Sequence, residues 1–223
     1  MKFITHSHKF ANHIIAGQSE IQELYKDFVE AVESITEQEI IDHFKANYEG
    51  RSKSLSLSIN ALLDDKLTAR NWVPQSKLFG ENDYAKDKRW RLDFAKQTEI
   101  IDKSWPGQEI RTLSGIAVEV AFNHAEAIPW NLLKPTLASE MNHLKKETYA
   151  GVGIVVAATE ELKEVGAFDG AVGSYEKFLT FIRPLSNILV SPIMLIGLEP
   201  PKTFFVRLED RPGNKKVGFI EMI

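Results

Sequence analysis

The sequence contains no cysteine, and that absence excludes a disulfide framework, a thiolate nucleophile and a cysteine-based zinc site. Any metal has to sit on oxygen or imidazole. No apolar run approaches the roughly 20 residues that cross a bilayer, and the opening MKFITHSHKF lacks the uninterrupted apolar stretch of a signal peptide. A cytoplasmic protein without a membrane partner is therefore expected. Internal repeats and low-complexity tracts are also missing, and the net charge of −4 speaks against a general polyanion binder. What is present is a 223-residue chain that is 43% hydrophobic, enough to bury a sizeable core, and a single domain over residues 1–223 is expected. One local exception to the acidic balance stands out. Lys86, Lys88, Arg89, Arg91 and Lys96 fall within eleven residues whose only acids are Asp87 and Asp93. Such a segment is either a solvated face or a phosphate contact.

The first fifty residues predict helices. Ser19 with Gln22, and Thr36 with Glu39, have the spacing of capping boxes. Ile21, Leu24, Tyr25, Phe28 and Val32 form one apolar stripe, and Ile40, Ile41, Phe44 and Tyr48 form a second that stops at Gly50. SLSLSI (54–59) alternates at period two and predicts a half-buried strand, after which Asn60 caps a short helix to about Trp72. The charged stretch 73–96, with Pro74, Gly80 and Asn82, predicts mostly loop. From Thr98 onward strands and helices alternate. Strands are expected before Asp102, through GIAVEVAF (115–122), over 152–157, over 192–198 and from Thr203 to Leu208. Helices are expected around Leu133, Leu137, Met141 and Leu144, entered near Pro135, then after Thr159, and over Tyr175, Phe178, Leu179 and Ile182. The result is an α/β chain with a central mixed sheet flanked by helices.

GIAVEVAFNH carries one acid in a strongly β-prone run. Successive strand residues face opposite sides, so Ile116, Val118, Val120 and Phe122 share one face and Glu119 shares the other with Ala117 and Ala121. A carboxylate on that floor needs a partner, because removing it from water uncompensated raises its pKa or costs stability. A metal, a lysine or solvent at a strand end would each serve. Asp102 follows two isoleucines, and the turn WPGQ lets the chain return beside it. Two acids on neighbouring strands can share Mg²⁺ with waters and a phosphate oxygen, an arrangement suited to phosphodiester hydrolysis.

The order of an acid after an apolar run, an excursion and a strand glutamate before a helix resembles the PD-(D/E)xK core of type II restriction endonucleases, and in detail the BglII and BstYI group, with BamHI more distant. INALLDDKLTARNW (59–72), GIAVEVAFNH (115–124) and SPIMLIGLEP (191–200) carry the likeness, which extends over most of residues 20–200. It implies a restriction-endonuclease-like core over 98–200 with a helical subregion over 1–50. It also implies a homodimeric, Mg²⁺-dependent enzyme of a prokaryotic cell that cuts double-stranded DNA at a short palindrome. A nuclease-fold protein that binds DNA without cutting is the alternative.

Carried over by position, Glu119 is the metal-binding strand acid, with Asp102 as the upstream acid and Glu99 as second choice. The family places Gln, Lys or Glu two residues past the glutamate to orient the attacking water, whereas this chain has Ala121. Lys103, Lys134 or Glu140 from another element could supply that function, Ala121 could be an engineered substitution, or the chain could be inactive. The resemblance makes His124, with Asn123 beside it and Ser174 more loosely, a reader of base edges. Arg51, Lys53, Lys88 and Arg89 are expected to contact phosphates. His6, His8 and His13 complete no metal pattern.

Overall fold

The computed structural model describes residues 1–80, 82–102, 106–140, 144–213 and 215–223. A six-stranded mixed sheet runs β1 (Phe3–His8), β6 (Ile193–Leu198), β5 (Val152–Ala158), β4 (Ile110–Val120), β3 (Arg91–Asp102), β2 (Val73–Lys77) in spatial order. β4, β5 and β6 are parallel, and the flanking pairs β1/β6, β3/β4 and β2/β3 are antiparallel. β5 and β6 are buried along their whole length, as parallel strands covered on both faces must be.

One face of the sheet is covered by α1 (Ala11–Gly17), α2 (Ser19–Glu33), α3 (Glu37–Asn47) and α4 (Ser56–Thr68), whose apolar stripes join Ile116, Val118, Ile154 and Ile196 in one core. The other face carries α6 (Ile128–Ser139) and α8 (Tyr175–Leu185), packed on Ala121, Val155 and Leu195. Two short helices, α5 (Asn82–Lys86) and α7 (Glu160–Val165), lie in connections. A ribbon of β7 (Phe204–Arg211) and β8 (Lys215–Met222) closes the chain against α3.

Thr36 and Glu39 form the expected capping box, with the Glu39 amide donating to the Thr36 hydroxyl at 3.2 Å and the Thr36 amide to the Glu39 carboxylate at 2.8 Å. Ser19 does not cap. Its hydroxyl donates to Glu20, and α2 starts without a side-chain cap. SLSLSI is helix rather than strand: Leu55, Ile59, Leu62, Leu63 and Leu67 repeat at helical spacing, and all are buried. Asn60 consequently lies inside α4 and not at its cap. The stretch 73–96, expected to be loop, supplies β2, α5, a single 3₁₀ turn (Lys88–Trp90) and the first half of β3. α6 begins at Ile128 with Pro129 in its first turn, and Pro135 lies within it. Gly153 makes room there, since a Cβ on it would lie 2.6 Å from Cβ of Pro135. The helix is thus seated directly on β5.

Candidate active site

Glu119 occupies the second-to-last position of β4, on the face covered by α6, and is 1% exposed. The floor around it is roofed and not open. Lys134, on the buried side of α6, forms an ion pair with Glu119 Oε2 and donates to the Arg91 carbonyl at 3.1 Å. The other carboxylate oxygen, Oε1, has no hydrogen-bond partner among the described residues.

The acid across from Glu119 is Asp93. The β3/β4 register pairs Phe94 with Val118, so Asp93 and Glu119 face each other one rung further on. There the Asp93 carboxylate accepts the Val120 amide at 2.7 Å. Burial pushes the Glu119 carboxyl up to about 8, the Asp93 charge adds to the rise, and Lys134 opposes it. Asp93 is also raised by burial, against the pull of the Val120 amide, Lys134 and Gln75.

Asp93 opens onto a cavity of about 300 Å³ lined also by Asn60, Asp64, Gln75 and Val120. Gln75 sits at a break in the β2/β3 pairing with φ of +50°, and its side chain bonds to Asp93. A non-glycine residue in that conformation is strained, and the register of β2 on β3 continues unchanged on either side of it. Two carboxylates, one ammonium and a polar cavity therefore meet at the end of β4. Such a group can hold a cation, anchor a water and polarise it.

Asp102 does not belong to this site. It pairs with Ile110 nine residues along β3 from Asp93, which at about 3.3 Å per residue is roughly 30 Å away. Because β3 and β4 form an antiparallel hairpin, the residues that meet are those equidistant from its turn, and Asp102 lies close to the turn. Glu99 is likewise remote, bonded to Arg111 at 2.9 Å. Lys103 lies outside the described residues. Of the named substitutes for the side chain missing at Ala121, the structure brings Lys134 to Glu119. Asp93, Gln75, Asn60 and Asp64 were missed, although Asp93 was visible as one of only two acids in the basic segment.

His124 and Asn123 lie exposed on the loop after β4, with His124 in an isolated bridge to Val172. Ser174 is fully buried and caps α8, accepting the Lys177 amide at 3.1 Å, so it cannot meet a base. Arg51, Lys88 and Arg89 are exposed; Arg89 is held by Asp87 at 2.7 Å, and Lys53 lies 3.7 Å from Asp169.

The family model of restriction endonuclease BglII/BglIII matches residues 3–198. The chain belongs to the BglII restriction endonuclease family. Among solved structures it is similar to restriction endonuclease BglII complexed with a DNA 16-mer, at 16% identity and a TM-score of 0.62 with both chains fully covered. Free BglII also matches, at 16% identity and a TM-score of 0.47, over all of this chain and 93% of the other. No curated protein sequence matches significantly. The family assignment accounts for the mixed sheet with its helical N-terminal region, in which the BglII-type core extends from β1 to β6.

Proposed function

We propose that this chain is a sequence-specific endonuclease that hydrolyses phosphodiester bonds of double-stranded DNA with Mg²⁺, acting as a homodimer. The observation that carries the reading is the meeting of Asp93, Glu119 and Lys134 at one rung of the β3/β4 hairpin, within a fold of the BglII family. The missing polar side chain at Ala121 is made good by Lys134, delivered from α6 to the same carboxylate.

The residues suit Mg²⁺. That ion takes one or two carboxylates and completes its shell with waters and phosphate oxygens, and here Asp93 lies opposite a glutamate with an unpartnered oxygen. No larger cluster of His, Asp or Glu gathers among the described residues, so an all-protein cage is not the design. Asp93 and Glu119 would hold the ion, which supplies Lewis-acid stabilisation and a more acidic water. Lys134 donates to Glu119 and is placed to hold the attacking water and to steady charge on the phosphate. Gln75 keeps the Asp93 carboxylate turned to the cavity. His124 and Asn123 follow the catalytic strand and are offered to base edges, while Arg51, Lys53, Lys88 and Arg89 supply backbone contacts. A two-fold dimer would bring two such sites to a palindrome.

A second reading, a DNA-binding protein that does not cut, is favoured by the burial of Glu119 against Lys134. Incubating supercoiled plasmid with the protein and Mg²⁺ separates the two. Discrete fragments that vanish with EDTA are expected, and binding without any cutting would establish the second reading.

A further inference from the structure

The loop that follows β4 is tied to α6 through a pair of carboxamides. Asn131 Nδ2 donates to Asn123 Oδ1 at 2.8 Å, and Asn123 Nδ2 donates back to Asn131 Oδ1 at 3.4 Å. Asn131 is 2% exposed, whereas Asn123 lies at the surface. The reciprocal pair occupies both the oxygen and the amino group of Asn123, the two atoms with which an asparagine recognises adenine.

The pair is not needed to hold the loop itself. Its backbone is already fastened by the Gly173 amide to the Asn123 carbonyl at 3.1 Å and by the Ala125 amide to the Ala171 carbonyl at 2.7 Å. What the side-chain pair fixes is the rotation of the Asn123 carboxamide. Burying a carboxamide on α6 is also unfavourable unless it is bonded, so Asn131 depends on Asn123 as much as the reverse.

Three residues further along the same helix, on the same buried side, Lys134 meets Glu119. One face of α6 therefore touches the loop offered to bases and the carboxylate offered to the scissile phosphate. No other described element contributes a side-chain bond to both.

We propose that Asn131 is a positioning residue that makes cutting conditional on base reading, an inference that rests on the endonuclease reading above. In the free protein Asn131 parks Asn123. A base pair that offers a matching donor and acceptor draws Asn123 away, and the buried Asn131 amide is left to seek a new partner. α6 then reseats and adjusts Lys134 against Glu119. A wrong base pair leaves the carboxamide pair closed and the lysine where it is. The recognition contact is thereby spent on the cleavage step rather than on tighter binding alone.

The test uses the full-length protein, a duplex carrying the sequence that the wild type cuts in plasmid, and duplexes with one base pair of that site changed. Cleavage is timed in Mg²⁺, and binding is measured separately in Ca²⁺. Asn131→Leu is expected to lower the ratio of cognate to altered-site cleavage rates by about tenfold, the discrimination carried by one base contact, while the ratio of Ca²⁺ binding constants changes far less. Asn123→Ala is expected to lower the cleavage ratio similarly, with its fold checked by urea unfolding because it leaves the buried Asn131 amide without this partner. The double variant should lose no more than either single one. A purely structural role would slow cognate and altered sites equally, and that result, or additive losses in the double variant, overturns the proposal. Wild-type protein that binds duplexes but cuts none would instead overturn the endonuclease reading on which it rests.

Discussion

Lys134 and Glu119 form a buried ion pair whose members depend on each other, so replacing either has consequences beyond chemistry. Lys134→Met is expected to lower cleavage at least about 100-fold, the scale of a lost general acid–base or water-positioning group, with duplex binding in Ca²⁺ retained. The upstream acid has an equally direct test: Asp93→Asn should abolish cutting, and Asp102→Asn should leave it unchanged, read from plasmid digests at saturating Mg²⁺. Retained cutting by Asp93→Asn would remove that acid from the site. The raised Glu119 pKa also has a definite sign. A carboxyl that holds its proton more tightly when folded contributes stability at low pH and loses it as pH rises from about 4.5 to about 8. The parent is therefore expected to lose stability between about pH 4.5 and pH 8 in a way that Glu119→Gln does not, as measured by urea unfolding across that range. By the same competition, Mg²⁺ held by Glu119 as proposed would displace that proton. Cleavage by the parent should rise with pH toward 8, and higher Mg²⁺ should shift the rise to lower pH.

At the scale of elements, α6 sets the geometry of the site, and its seat on β5 is a single close approach between Pro135 and Gly153. Gly153→Ala should push the helix outward, destabilise the fold by about 1–3 kcal/mol as overpacking does, and slow cleavage by displacing Lys134. A Gly153→Ala variant with full stability and undiminished cleavage would show that α6 is not positioned there. Elements of this kind were legible in the sequence to differing degrees. The strand through Glu119 and the Thr36 box were plain, because alternation and capping are local signals. Only the first turn of α4 was mistaken for a strand, because six residues of serine alternation outweighed the longer repeat from Leu55 to Leu67, whereas the helix from Asn60 onward was read. Asp93 was passed over for a more distant reason. Its relation to Glu119 is set by hairpin register across the 25 residues between them, and 12- and 11-residue strands carry their turn far from the site. Lys134 could be named as a candidate but not chosen, since its reach depends on how a helix docks.

For the whole molecule, the prediction concerns charge. The protein carries a net −4, yet duplex binding as proposed depends on a few basic side chains. The logarithm of affinity should fall linearly with the logarithm of salt, with a slope of about −0.9 for each phosphate neutralised. Charge reversal at Arg51 and Lys88 together should flatten that slope by about 2 without altering which site is preferred. A salt-independent affinity would mean that the duplex is held in some other way.

A linear pattern requiring a lysine or glutamine two places after the strand glutamate would pass over this chain, because its ammonium comes from a helix fifteen residues downstream. Relatives with an alanine at that place merit inspection for a basic side chain on the inward side of the next helix. The signature to seek is a convergence in space, for which no fixed number of intervening letters is required.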